Sequence, residues 1–309
     1  MPEPLSAPPS VTVVIPTKDR PELLLRAIAA VQDQDYEGVV ETVVVVDEGG
    51  RTPDGMPSRP GRPLSVVAND RSPGLAGARN AGVDRVSTPF VAFCDDDDVW
   101  HPSKLRRQVA AVQQVPGAVL VTCGIRVVYE QTTVVRALPR TRIGFDDLLR
   151  SRLTELHPST FLLDTARLRS QVGPVEEDIP GSYAEDYDFL LRVARASPVV
   201  NLPEAMVDVH WHRRSYFAGR WDTISAALRW LLARYPEFDR EPAGRARVLG
   251  QIAFADAAAG RRRGAVAVAV RALRDRPQEL RAVVALAVAT GLVRPAWVLA
   301  ALHRRGRGV

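Results

Sequence analysis

Cysteine is nearly absent from this chain: Cys94 and Cys123 are the two thiols in 309 residues. Each sits inside an apolar run, FVAFC and AVLVTC, so both read as buried, reduced thiols rather than a disulfide. No Cys/His set has zinc spacing, which excludes a structural zinc module. A reducing cytoplasm is the expected compartment. The opening MPEPLSAPPS has neither a basic nor an apolar segment and does not read as a secretory signal. Long apolar runs are missing too. AVVALAVATGLV (282–293) stops at Arg294-Pro295, short of the ~20 residues that span a bilayer. Both usual phosphate-loop fingerprints, G-x-G-x-x-G and G-x-x-x-x-G-K-[ST], are absent. The net charge of +5 is too small to imply nucleic acid, and none is expected as a partner. It suits phosphate-bearing ligands or an anionic membrane surface.

What is present is an ordinary globular balance, 46% apolar and 25% charged, which argues against disorder. After a Pro/Ser-rich tail, VTVVIP (11–16), ETVVVVDEGG (41–50), RPLSVVAN (62–69) and PFVAFCDDDD (89–98) read as strands. RPELLLRAIAAVQDQ (20–34), GLAGARNAGVDRV (74–86) and HPSKLRRQVAAVQQ (101–114) read as helices, with Asp19 as an N-cap for the first. Continuous rather than alternating apolar strands predict an α/β domain with a mostly parallel sheet covered on both faces. Ligands of such sheets bind at the carboxyl ends of the strands. Three polar clusters lie there, TKDR (17–20), DEGG (47–50) and DDDD (95–98), and should converge on one edge. Beyond about residue 218 the chain turns rich in Ala, Arg, Leu and Val. It shows no strand signal and has helix-like stretches at 222–235 and 243–274. The expected organisation is a disordered tail (1–10), an α/β domain (11–217) and a helical extension (218–309). That extension is either a packed tail or a basic surface lying against a membrane.

Four adjacent carboxylates repel one another and call for compensation. Asp95 and Asp97, two apart on an extended chain, would point to the same side and could hold a divalent cation on phosphate oxygens. A solvated acidic turn is the other reading. In YAEDYDF, Glu185, Asp186 and Asp188 open a helix. They suit its dipole, or one of them serves as a general base. In VHWHRR, the two histidines either ligate a metal or lie in a surface turn. GLAGARNAG is small enough to permit close helix–sheet packing, and its Arg79 could reach a diphosphate.

Taken in order and spacing, VTVVIPTKDRPELLLRAIAAVQDQ, VVVVDEGG, GLAGARNAG, FCDDDDVWHPSKL and EDYDFLLRVA resemble the family-2 glycosyltransferases of the GT-A fold, over about residues 10–217. The resemblance implies a nucleotide-diphosphate sugar as donor, a UDP-sugar as first choice, with Mn²⁺ or Mg²⁺. The acceptor is unspecified: a glycan, a lipid-linked sugar or a small metabolite. It places Thr17, Lys18 and Arg20 in the first nucleotide loop, Asp47 at the base, and Arg79 toward the nucleotide. Asp95 falls near the ribose with Asp96 beside it, and Asp97 on the metal. Asp186 matches the catalytic base, and His212 a histidine that follows the acceptor helix, here given as a metal ligand. Inverting single displacement is the implied chemistry. The chain departs from the family pattern at Lys18-Asp19, where an aromatic-Asn pair is common, and at VDEGG in place of VDDGS. Two other readings share these residues. A nucleotidyltransferase would want a basic, glycine-rich N-terminal loop that IPTKDRP lacks. A non-catalytic sugar-nucleotide binder would act through the helical tail.

Overall fold

The computed structural model describes residues 7–53, 55–129, 131–211 and 219–298. Most of the expected tail at 1–10, and His212, lie outside them. In chain order the strands are β1 (Val11–Thr17), β2 (Val40–Val46), β3 (Leu64–Ala68), β4 (Phe90–Phe93), β5 (Val99–Trp100), β6 (Leu120–Tyr129), β7 (Thr132–Arg136), β8 (Arg142–Ile143), β9 (Leu162–Asp164) and β10 (Val199–His210). The helices are α1 (Pro21–Gln32), α2 (Leu75–Val83), α3 (Lys104–Gln114), α4 (Phe145–Arg150), α5 (Thr165–Arg167), α6 (Glu185–Ala196), α7 (Trp221–Arg234), α8 (Pro242–Ala258), α9 (Arg262–Asp275) and α10 (Leu280–Ala289).

The chain divides into two compact units. The first runs up to Gly144 and adds Thr154–Glu177 and Arg192–His210; the second takes Phe145–Leu153, Asp178–Leu191 and the chain from Trp211 onward. The division therefore does not fall at the expected 217/218 boundary. The physical reason is that two earlier segments pack on the helical part. Tyr187 donates to the Leu148 carbonyl (2.6 Å) and accepts from Arg247 of α8 (2.8 Å).

In the first unit one sheet runs β3-β2-β1-β4-β9-β6-β10-β5, with β7 on β6 and β8 on β10. β3, β2, β1 and β4 are parallel, as their unbroken Val/Ile/Phe runs predict. Beyond β4 the sheet is mixed rather than mostly parallel. β9 pairs antiparallel with both β4 and β6, and β5 antiparallel with β10, while β6 and β10 are parallel. β1 is buried along its whole length, whereas β3, at the sheet edge, is largely exposed. The chain winds from β1 out to β2 and β3, then returns to place β4 on the other side of β1. That reversal opens a crevice at the strand ends.

The glycines of α2 set how closely it approaches its neighbours. A Cβ on Gly77 would lie 1.9 Å from the Ser72 carbonyl oxygen, and one on Gly82 would lie 2.3 Å from Val14 Cγ1. Asp19 is not the cap of α1. Arg20 holds the N-cap position without a side-chain bond, and Asp19 adopts φ 54° and accepts from the Arg51 N–H at 3.2 Å.

In the second unit α8 is buried nearly all round, and its buried charges are paired: Arg247 with Tyr187, and Asp256 with Ser225, Arg229 and Arg261. Both α7 and α9 pack on it, as does α10. The stretch 243–274, expected to be one helical run, is split between α8 and α9 at Gly260, whose φ of 83° ends the first helix.

Two helical glycines should respond in opposite directions. Gly77→Ala should lower stability by about 1–3 kcal/mol, because the methyl collides with backbone. Gly264→Ala in α9, where a Cβ meets nothing within 4 Å, should raise it by up to about 1 kcal/mol. Urea unfolding midpoints of the two variants against wild type check the pair.

Candidate functional site

Three of the sequence clusters meet at the carboxyl ends of β1, β2 and β4. The register pairs Thr17 with Val46 and Val14 with Phe93, so each strand delivers its next residues to one edge. Residues 95–98 form a turn closed by the Asp98 N–H on the Asp95 carbonyl at 3.1 Å. The chain is therefore not extended there, and strand alternation does not bring Asp95 and Asp97 to one side.

Instead the four carboxylates go to different partners. Asp95 receives Arg79 at 2.7 Å. Asp96 accepts from Thr17 Oγ1 at 2.7 Å and lies 3.3 Å from Arg20, which reaches Asp97 at 2.8 Å. Asp98, fully buried, accepts from Ser159 Oγ at 2.5 Å and lies 3.4 Å from His157 Nδ1. Ser159 Oγ in turn accepts the Asp95 N–H at 2.9 Å. Burial is the main force on the two innermost acids. It pushes Asp96 up to about 6 against the Thr17 bond, and raises Asp98 well above the usual carboxylate range with help from Asp97 and Asp95.

Asp47 stands at the end of β2. Its carboxylate accepts from Asn69 Nδ2 at 2.9 Å and from the Gly74 N–H at 3.1 Å, with Lys18 Nζ at 3.9 Å. Burial pushes its carboxyl up, but the Asn69 and backbone bonds and the Lys18 charge outweigh that and hold it below its usual value. Behind it, Glu177 gathers Ser72 Oγ (2.6 Å), Asn80 (2.6 Å) and Arg71 (3.0 Å). It fixes the 69–74 loop to α2.

The first unit thus brings together Thr17, Lys18, Arg20, Asp47, Arg79, Asp95, Asp96 and Asp97. Asn69, Glu177, His157 and Ser159 were missed, and Asp98 was noted as part of the acidic run but given no role. HPSTF carries no charge run or glycine signal, so nothing local singles out its His157. Asp95, Asp98 and His157 each offer a ligand atom within 4.8 Å of the others. Carboxylate oxygens with one imidazole fit a divalent cation such as Mn²⁺. Asp97, the expected ligand, is outside that set and paired with Arg20.

Asp186 belongs to the second unit. Arg152 Nη2 contacts both its oxygens, at 2.7 and 2.9 Å. Burial opposes the Arg152 charge, but Asp186 overrides that and raises its pKa further. Asp188, two residues on, is fully buried and accepts from Tyr235 Oη at 2.6 Å, which makes it a structural acid. The helix start is reached through Gly181, Ser182 and Ala184, all at φ between 55° and 67°. Left-handed backbone at two non-glycine residues costs energy and persists only where the surroundings enforce it.

Beneath the acidic turn, Lys104 is completely buried. Its Nζ lies 3.6 Å from the Trp100 ring centroid and has no hydrogen-bond partner among the described residues. Burial lowers its pKa to about 8, and the neighbouring Cys123 is pushed up to about 11 by burial.

The family model for "Glycosyl transferase family 2" matches residues 12–169. Amylovoran biosynthesis glycosyltransferase AmsB of Erwinia amylovora is 23% identical over 257 residues, 75% of this chain and 79% of that protein. Succinoglycan biosynthesis protein ExoO of Rhizobium meliloti is 29% identical over 165 residues, 53% of this chain but only 44% of ExoO. Among solved structures, S. aureus TarS 1–349 in complex with UDP-GlcNAc superposes with a TM-score of 0.60 at 16% identity, covering 96% of this chain and 92% of that one. The mannosyltransferase PcManGT from Pyrobaculum calidifontis, in complex with GDP-Man and Mn²⁺, gives 0.56 at 19% identity, over 94% and 84%. These structures share the fold. The chain belongs to glycosyl transferase family 2 and is a glycosyltransferase of the GT-A fold.

Lys104 sets a pH dependence. Between about pH 8 and 10.5 the unfolded chain holds a proton on this lysine that the folded chain has released, so the lysine makes stability rise with pH. Above pH 9 the buried thiols, protonated longer in the folded state, oppose it. From pH 8 to 9 wild type should gain about 1 kcal/mol relative to Lys104→Met, read from urea unfolding at the two pH values.

Proposed function

We propose that this enzyme moves a sugar from a nucleotide-diphosphate donor, a UDP-sugar as first choice, to an acceptor hydroxyl with inversion. The observation that carries the donor reading is the convergence of Thr17, Arg20, Asp47, Arg79 and Asp95–Asp98 at the strand ends where the sheet order reverses. Asp47, already an acceptor for Asn69 and Gly74, is suited to hydrogen bonds from a base. Lys18 and Arg20 offer cations for the diphosphate, and Arg79 fixes Asp95. Asp95, Asp98 and His157 would hold a divalent cation. When bound, that cation would supply positive charge to the leaving diphosphate.

Asp186 is the proposed general base. Its carboxylate takes the proton of the acceptor hydroxyl. The hydroxyl oxygen forms the new bond to the anomeric carbon, and the bond to the diphosphate breaks with its electron pair leaving on phosphate. Arg152 orients Asp186 through its two contacts. The Arg20 and Lys18 charges favour the transition state, where charge grows on the leaving group.

The test combines binding with turnover. UDP, GDP, dTDP and CDP are screened by thermal shift with and without Mn²⁺ on wild type, Asp97→Ala and His157→Ala. One nucleotide should stabilise wild type by about 2.7 kcal/mol at a hundred times its Kd. The metal-dependent part should be lost in His157→Ala. Loss in Asp97→Ala alone would return the metal to that carboxylate. Asp186→Asn should keep nucleotide binding and lose 10²–10⁴-fold in sugar transfer. Binding without turnover on any acceptor would favour a non-catalytic role.

A further inference from the structure

A helix on a protein surface normally turns charge outward and apolar residues inward. α10 does not. Its sequence LRAVVALAVA has one charged residue, Arg281. Ala282, Ala285, Val288 and Ala289 are its buried side. The opposite side is apolar as well: Leu280 is 75% exposed and Val283 48%. The chain continues through Gly291 (φ 83°) to Leu292, 79% exposed, and Trp297, 63% exposed with Arg294 over its ring at 5.7 Å. On α9 the outward positions pair Val266 and Val270 with Arg263 and Arg274.

The charge carried by this stretch of the chain is mostly of one sign, although Arg261 is paired with Asp222 and Asp256, and Arg281 with Glu279. Residues 261–298 contain eight arginines and two acids. Both acids are committed, Asp275 to Arg245 and Glu279 to Arg281. Arg262, Arg263, Arg271, Arg274 and Arg276 are exposed and have no ion pair among the described residues. The sequence of 299–309 adds three more arginines and no acid.

We propose that the outward side of α9 and α10, with Leu292 and Trp297, seats this protein on an anionic lipid bilayer. Exposed leucine, valine and tryptophan enter the boundary between headgroups and acyl chains, while arginines pair with lipid phosphates. A neutral protein partner would explain the apolar residues but leave the arginines without a counter-charge. No helix among the described residues is long and apolar enough to cross a membrane, so the contact is with the surface. The inference stands apart from the donor and base assignments.

The full chain is sedimented with vesicles of phosphatidylcholine alone or with 30% phosphatidylglycerol. It should pellet with the anionic vesicles at least tenfold more than with the neutral ones, and 0.5 M NaCl should weaken this. The triple variant Leu280→Gln, Val283→Gln, Trp297→Gln should lose at least tenfold in partitioning while keeping its circular dichroism and melting temperature. If that variant does not fold, Arg263→Gln with Arg271→Gln and Arg274→Gln is read instead. Wild type that stays in the supernatant, or variants that bind as wild type does, would overturn the proposal. So would a concentration-dependent dimer that the apolar variant abolishes without any vesicle binding, since a second copy would then cover this surface.

Discussion

Mutual repulsion among Asp95, Asp96, Asp97 and Asp98 is the constraint around which the first unit is arranged. The turn that carries them is tight, so the charges cannot separate along the chain. They are separated by assignment to different neighbours instead. Arg79 comes from α2, Arg20 from just before α1, Thr17 from the end of β1, and Ser159 from the turn before β9. Each arrives from a different element, so the acidic turn adopts this shape only when those elements are in place. For Asp98, burial and the neighbouring Asp97 and Asp95 charges push the carboxyl well above the usual carboxylate range, and the Ser159 hydroxyl bond works against that rise.

The second unit solves a related problem with fewer parts. Asp186 faces Arg152, and Asp188 is turned inward to the Tyr235 phenol with Arg234 at 4.0 Å. Acidic residues at a helix start are ordinary company for its dipole, but the two acids here are put to different uses. The strained residues Ser182 and Ala184 set where α6 begins, and so which acid faces which partner.

Much of the sheet was legible in the sequence because buried parallel strands have few ways to be written. VTVVIP, TVVVVD and FVAFC name β1, β2 and β4, and the clusters behind them meet as expected. What failed rested on local geometry. Extended-chain alternation was the wrong template for four consecutive aspartates, since a turn rotates each side chain away from its neighbour. The mixed half of the sheet was hidden because β5, β8 and β9 are two or three residues long, too short for periodicity to register. Gly260, set among alanines and arginines, was too faint a signal to separate α8 from α9. His157 lies some sixty residues from the acids it approaches, and only the fold makes them neighbours.

β9 has one further consequence. A parallel strand brings its end to the ligand edge, but an antiparallel one brings its beginning. Ser159 and His157 therefore reach the acidic turn against the direction in which β1, β2 and β4 deliver their residues. Their position depends on the connection that enters β9, not on one that leaves a strand. Insertions or deletions in the 144–156 segment can thus re-aim His157 while β1, β2 and β4 keep their register. A change in how the chain enters β9 would alter the His157 side of the acidic turn and leave the ends of β1, β2 and β4 unaltered.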